Sequence, residues 1–405
     1  MRLLLLTQYY PPEIGAPQNR LHELAIRLKM KGVQVEVLTA MPNYPKMEID
    51  PAYLGGKIKN EIIDGIQVYR SPIFVSKSKS ILKRLLNYFS FVFTSYLRGR
   101  KLDNYDYLLV ESPPLFLGYS AMALSRRLNA KLIFNVSDLW PESAEKLDLV
   151  TNKMLLNLAY KLETKCYKKA YLITGQTQGI VENIKSRFPS KEVYWLPNGV
   201  DLEFYNPESH PPSTFRKMNE FSENDLLVFY GGIIGYAQGL DVILKACKLL
   251  EKYPSIKFIL QGSGPEKDRL MSLRDELGVK NLFFLSPVEK QIMPNVLLGI
   301  DLAVVPLRKL ELFQGAIPSK IFESLSMQVP LILGVDGEAR HHFIDNANAG
   351  VYFEPENEQA LADAVLKFYE NKSFIVEKGI NGRNYVNEYF NRNIIAQQLY
   401  SKLAN

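Results

Sequence analysis

Short apolar runs alternate with amphipathic stretches along nearly the whole chain. Residues 2–7 are a hydrophobic run of strand length, and 18–31 repeat apolar positions at helical spacing, with Leu21, Leu24, Ala25 and Leu28 on one face. Gly32 stops that helix, and 33–38 predict the next strand. The alternation continues with strands at 66–69, 107–110, 131–136, 170–174 and 193–196, and helices at 115–128, 151–170 and 177–187. It restarts with strands at 226–230, 256–261, 281–285, 301–306, 329–334 and 350–353. Helices at 240–251, 266–277, 338–346, 357–370, 374–388 and 391–403 separate and follow them. Such alternation predicts an α/β chain of parallel sheets covered by helices. Residues 206–223, rich in Pro, Ser, Glu and Asn, read as a linker. A chain of 405 residues exceeds one ordinary core, so two domains are expected, 1–205 and 206–388, with a helix at about 389–405 returning to the first.

One block departs from the pattern. Lys77, Lys79, Lys83 and Arg84 precede the apolar, aromatic run 85–97, and Arg98, Arg100 and Lys101 close it. The run falls short of the roughly twenty residues of a bilayer span. It predicts a helix that lies in a membrane interface, or one packed on the sheet with basic ends at the surface. The charge supports an anionic partner. The net charge of +6 divides into +11 for residues 1–200 and −5 for 201–405. No base-reading motif accompanies the basic block, so nucleic acid is not the expected partner. Cys166 and Cys247 make no disulfide framework, which fits a reducing compartment. The apolar start reads as a strand and not as a signal peptide.

The candidate chemistry sits at strand ends, where open α/β sheets bind ligands. Gly15 follows the first strand and lets a diphosphate or sugar approach the backbone, or is a plain turn glycine. Arg20 on the next helix serves an anion or faces solvent. Asp138 follows the strand 131–136; it orients a sugar hydroxyl, assists proton movement, or acts as a helix cap or turn carboxylate. After the strand 226–230 come Gly231, Gly232, Gly235, Gln238 and Gly239, a glycine-rich loop suited to phosphate. Gly262 follows the next strand, and Ser286 lies where a flat base can meet backbone. Pro318 suits the first turn of a helix. The N–H groups around Ser319, with the mobile charge of Lys320, then face an anion. Glu323, one turn on, can accept hydrogen bonds from a sugar diol. Gly337 and Glu338 open a further loop. The chain has no zinc motif, no P-loop, no esterase elbow and no G-x-G-x-x-G dinucleotide pattern.

Gly15, Pro-Asn-Gly-Val-Asp at 197–201, Gly-Ser-Gly-Pro at 262–265 and Pro-Ser-Lys-Ile-Phe-Glu at 318–323 together resemble the retaining glycosyltransferases of family 4, in particular the WbuB-like branch of bacterial O-antigen and polysaccharide enzymes. The resemblance implies the GT-B fold, two Rossmann-like domains facing each other across a cleft. It implies transfer of a sugar, an N-acetylated or deoxygenated hexosamine, from a nucleotide diphosphate sugar, expected to be UDP-linked. The implied acceptor is a lipid-linked saccharide of O-antigen, capsule or exopolysaccharide assembly. The implied place is cytoplasmic, peripheral on the inner face of the cytoplasmic membrane at an anionic surface. No metal and no resident cofactor are implied. The nucleotide sugar is the donor substrate.

By the same resemblance, Glu323 holds the ribose diol, Lys320 and Gly15 face the diphosphate, Asp138 lies near the transferred sugar, Gly337 and Glu338 meet sugar or phosphate, and Ser286 lies near the base. Three positions depart from the family pattern. Gly315 stands where a second glutamate is usual, with Glu311 as a substitute four residues earlier. Ile233 and Gln238 stand where a basic pair is usual. These departures keep open a non-enzymatic nucleotide-sugar-binding component of an assembly complex; the second enzyme reading is a nucleotide-sugar 2-epimerase of the same fold, which would need acid/base carboxylates facing the sugar.

Overall fold

The computed structural model describes residues 1–404 apart from Ile14, Lys57, Ile58, Lys79, residues 147–149 and the side chain of Ile81. Lys79 of the expected basic block therefore lies outside the described residues. The chain divides into two compact units, residues 1–198 with 392–405, and 199–391.

The first unit is built on β1 (Arg2–Leu6), β2 (Gln34–Ala40), β3 (Asn60–Ile63), β4 (Ile66–Ser71), β5 (Tyr107–Ser112), β6 (Lys131–Val136), β7 (Leu172–Gly175) and β8 (Val193–Trp195). Their order is β3-β4-β2-β1-β5-β6-β7-β8, and every pair is parallel except β3 with β4. Side chains alternate across the sheet. Leu3 and Leu5 meet the helices Ala16–Met30 and Arg392–Ala404 through Leu21, Leu28, Ile395 and Leu399. Leu4 and Leu6 meet the opposite layer, the helices Ile81–Gly99, Leu117–Arg127 and Lys153–Lys169, through Phe91, Leu124 and Cys166.

The second unit has β9 (Leu226–Gly231), β10 (Ile256–Gln261), β11 (Leu282–Leu285), β12 (Leu302–Pro306), β13 (Leu331–Gly334) and β14 (Gly350–Tyr352). All pairs are parallel, in the order β11-β10-β9-β12-β13-β14. Each unit thus reverses its strand order beside its own first strand, between β1 and β5 and between β9 and β12. Open sheets bind ligands outside the carboxyl ends at such points.

Three expectations change, and a fourth stays divided between its two readings. Residues 206–223 are not a free linker: they fold onto the second unit through the short helix Phe215–Met218, with Phe215 and Phe221 buried and Arg216 2.7 Å from Asp301. The domain crossing comes earlier than 205, because the Val200 N–H donates to the Phe390 carbonyl at 2.9 Å and Arg383 donates to the Tyr205 carbonyl. The edge strand β3 was not expected; its Asp64-Gly65 turn has both φ values positive, the geometry of a tight hairpin. The helix Ile81–Gly99 packs inward through Phe91 and Ser95, yet leaves Leu82 72%, Leu86 56% and Phe93 63% exposed. One face therefore fits the packed reading, and the other remains apolar and open.

Arg20 does not face solvent. Its guanidinium donates to Glu111 at 2.6 Å and to the Ser137 hydroxyl at 2.7 Å, with both side chains of the ion pair buried. Asn135 donates to the other Glu111 oxygen, and the Thr174 hydroxyl donates to Asn135. A chain of polar groups thus ties the helix Ala16–Met30 to the carboxyl ends of β5, β6 and β7. Removing one member of a buried pair strands its partner in a poorly solvating interior. Glu111→Ala is expected to lower the unfolding free energy by about 3–5 kcal/mol. A loss under about 1 kcal/mol in urea denaturation would show that the pair carries no such weight.

Candidate functional site

The carboxyl ends of the second sheet gather most of the candidate residues. The loop after β9 and the loop after β10 are interlocked: the Gly232 N–H donates to the Gln261 carbonyl, the Ile234 N–H to the Ser263 carbonyl, and the Glu266 N–H to the Ile234 carbonyl. A methyl group at Gly262 would collide with the Gly232 carbonyl oxygen, and one at Gly264 with that of Ile234. Gly262 therefore has a packing reason to be glycine, and its positive φ of 154° adds a conformational one. The Gln238 side chain curls back to within 2.9 Å of where a Gly235 Cβ would stand. Ser286 is exposed beyond the edge strand β11, and its carbonyl accepts from Gln261 Nε2 at 3.0 Å.

Pro318 precedes the helix Ser319–Ser326 as its N-cap, with ψ 132°, so the helix begins one residue later than the sequence implies. No side chain caps that helix start. Ile321, Phe322 and Leu325 bury its inner face. Lys320 and Glu323, three residues apart, share another face. Lys320 Nζ lies 3.6 Å from the Tyr230 ring centroid and 3.1 Å from where a Gly232 Cβ would stand. The Tyr230 hydroxyl donates to the Ile233 carbonyl at 2.5 Å and holds the glycine loop in place. Burial pushes the Lys320 ammonium down to about 7, with Glu323 partly opposing the shift. Gly337, at φ 78°, packs on the backbone of Gln314 and so brings the loop after β13 to the segment before Pro318. Glu338 lies beside His342, 3.8 Å from its Nε2, which points its carboxylate towards the fold of its own helix. Glu311 lines a separate cavity of about 270 Å³ with Arg308, Gln314 and Asp336.

In the first unit, Gly15 opens the helix Ala16–Met30 and Asp138 follows β6. The Arg20–Ser137 hydrogen bond keeps these two segments together. Ser143 donates to the Asp138 carboxylate at 2.8 Å, so this side chain braces the helix Glu142–Lys146. Burial raises its pKa above the ordinary carboxylate value. Among the described residues, no cluster of three His, Cys, Asp or Glu side chains is placed to hold a metal ion.

Two residues were missed in the sequence. Tyr230 ends an apolar strand and reads as core. Arg308 follows the buried strand β12, and a charge at that point was a usable signal. Its guanidinium lies 3.9 Å from the Tyr236 ring centroid and donates to the Tyr236 carbonyl at 2.8 Å, while its backbone N–H donates to the Ala237 carbonyl. Arg308 therefore braces the loop that lacks the usual basic pair.

Residues 18–204 match the model of glycosyltransferase family 4, and residues 213–385 match that of the glycosyl transferases of group 1. The chain belongs to glycosyltransferase family 4. It is an enzyme that transfers sugars, and its two parallel-sheet units have the GT-B fold. Among relatives of this glycosyltransferase, WcaI of Escherichia coli K12, assigned to colanic acid biosynthesis, is 24% identical over 90% of this chain and 91% of its own. The O-antigen chain mannosyltransferase C of Escherichia coli is 21% identical over 96% of this chain and 94% of its own. Among solved structures, Anabaena HepE in complex with UDP and glucose superposes with a TM-score of 0.71 at 17% identity, covering 100% of this chain and 99% of that one.

The depressed Lys320 value has a measurable consequence. Between about 7 and the ordinary lysine value of 10.5, the unfolded chain holds a proton that the folded glycosyltransferase has lost. Stability contributed by this group must therefore rise with pH across that window. The difference in urea unfolding free energy between the wild type and Lys320→Met is expected to change in that direction from pH 7 to 9.5. A pH-independent difference would contradict it.

Proposed function

We propose that this glycosyltransferase moves a sugar from a UDP-linked donor, retaining its anomeric configuration, to a lipid-linked saccharide in O-antigen, capsule or exopolysaccharide assembly. The observation that carries the reading is the Lys320 ammonium, held on the Tyr230 ring against the Gly232 backbone at a helix start that no side chain caps. A diphosphate fits this site for two reasons. Helix N–H groups and a cation stabilise negative charge. An incoming anion also restores the charge that burial removes from Lys320. Glu323, on the same helix, accepts the ribose hydroxyls.

In the reaction, the bond between the anomeric carbon and the donor phosphate oxygen breaks as the acceptor oxygen bonds to that carbon. The acceptor proton passes to the departing diphosphate. Lys320 and the helix N–H groups stabilise the charge that grows on the leaving group, which lowers the barrier only to the extent that they bind it better in the transition state. The UDP bound to Anabaena HepE and the polysaccharide roles named for the two relatives support the donor and pathway assignments.

No described helix is long and apolar enough to cross a membrane. The exposed Leu82, Leu86 and Phe93, with Lys83 and Arg84 among them, support peripheral attachment to an anionic inner-membrane surface.

Three outcomes follow. Glu323→Ala is expected to weaken UDP binding by at least tenfold in isothermal titration, and equal affinity would remove the ribose role. At pH 8, UDP binding is expected to take up close to one proton, so titrations in buffers of different ionisation enthalpy should diverge; a Kd that stays constant from pH 7 to 9 would sink the Lys320 assignment. Leu86→Asp/Phe93→Asp is expected to abolish co-sedimentation with vesicles containing phosphatidylglycerol while sparing UDP binding. Undiminished sedimentation would count against attachment through this helix.

A further inference from the structure

The first unit holds a cavity lined by none of the candidate site residues. It has a volume of about 520 Å³ and lies between the helices Leu117–Arg127 and Lys153–Lys169, over the amino end of β6. Asp138 lies beyond the other end of that strand, which spans about 17 Å from Lys131 to Val136 at 3.3 Å per residue. Arg126, Lys131, Lys165 and Lys169 line the cavity, and among the described residues no acidic one does.

These cations have no counter-charge on their own elements. The helix Leu117–Arg127 carries no carboxylate, and the only one on Lys153–Lys169 is Glu163, which is buried and committed to Arg187. Lys131 stands 4.6 Å from the Tyr171 ring centroid and forms no ion pair among the described residues. Lys165 and Lys169 are four residues apart on one helix face, where like charges repel.

An ordinary explanation exists for part of this arrangement. Basic residues in the last turn of a helix complement its dipole, and Arg126 and Lys169 occupy such turns. Two helix ends supply only about −0.5 charge each, which leaves a net of about +3 around the cavity. Lys131 and Lys165 are outside those last turns. Met122, Ala123 and Leu132 give the cavity an apolar wall, and Ser125 and Asn129 add polar groups.

We propose that this cavity binds a phosphate or diphosphate group, carried by a lipid headgroup or by a soluble ester, at a site separate from the donor loops. The cations neutralise the phosphate oxygens, and the apolar wall takes the first carbons of the attached group. The proposal does not depend on the transferase reading. Loss of UDP binding in Glu323→Ala tests that reading and leaves this one untouched.

Inorganic pyrophosphate and vesicles of phosphatidylcholine with phosphatidylglycerol are the probes. The full chain is compared with Arg126→Gln/Lys165→Gln/Lys169→Gln and with the control Lys153→Gln/Lys161→Gln/Lys168→Gln, which removes equal charge from outside the cavity. In the presence of saturating UDP, the cavity variant is expected to bind pyrophosphate at least tenfold more weakly than the wild type, and the control less than twofold more weakly. If vesicle sedimentation falls in the cavity variant and not in the control, the phosphate is that of a lipid headgroup. If it is unchanged while pyrophosphate binding falls, the ligand is a soluble ester. Equal pyrophosphate binding in the wild type and cavity variant, or equal losses in the cavity variant and the control, would overturn the proposal.

Discussion

Two loops of the second unit pass each other at a separation that only glycine permits. Gly262 lies against the carbonyl of Gly232, and Gly264 against that of Ile234, with backbone hydrogen bonds between the loops. Close packing leaves no room for an added methylene here. The glycine loop is therefore fixed from below, and the Tyr230 hydroxyl fixes it from within. Lys320 is set into this rigid surround, between an aromatic face and a stretch of backbone. Its unusual acidity is the electrostatic result of that placement. The same rigidity means that little reorganisation accompanies the arrival of a charged ligand, the condition under which a fixed charge is most effective.

The first unit solves a different problem. Its sheet ends carry the ion pair of Arg20 and Glu111, extended by Ser137, Asn135 and Thr174. Buried ion pairs give little net stability against a well-packed apolar core. This network instead specifies position, because each partner satisfies atoms on a different element. It sets where the helix after Gly15 begins relative to the segment of Asp138. The price in desolvation is met by hydrogen bonds on both Glu111 oxygens.

Much of this organisation was legible in the sequence because it follows from periodicity. The runs that became β1, β5, β6, β9, β10, β12 and β13 are largely buried on both faces and read as nearly continuous hydrophobic stretches, whereas β2 alternates apolar and polar positions. The edge strand β3 escaped notice because it is half-exposed and short, although Asp64-Gly65 after Ile62-Ile63 is a hairpin signal. The segment 206–223 misled because its polar composition outweighs Phe215 and Phe221, the two rings that anchor it. At the candidate site, the residues proposed to meet the donor were recognisable by type, namely Lys320 and the glycines for the diphosphate and Glu323 for the hydroxyls. The residues that hold them, Tyr230 and Arg308, were not. Their roles depend on contacts across 90 residues for Lys320 over Tyr230 and 72 for Arg308 with the Tyr236 carbonyl, and no local pattern encodes such separations. Arg20 shows the same limit, since a single arginine near a helix start does not announce that its partner is Glu111.

The helix Arg392–Ala404 buries Ala396 and Leu399 in the core of the first unit, and the Leu403 carbonyl accepts from the Tyr107 hydroxyl. The whole second unit, residues 199–391, is synthesised between the first unit's main body and this helix. At about 5–20 residues per second the interval is roughly 10–40 s. During translation the apolar groove beside β1 and the helix Ala16–Met30 therefore stays uncovered while the second unit emerges and folds. A nascent chain in that state presents a ready surface to a chaperone, and the order of synthesis makes completion of the first unit the later event.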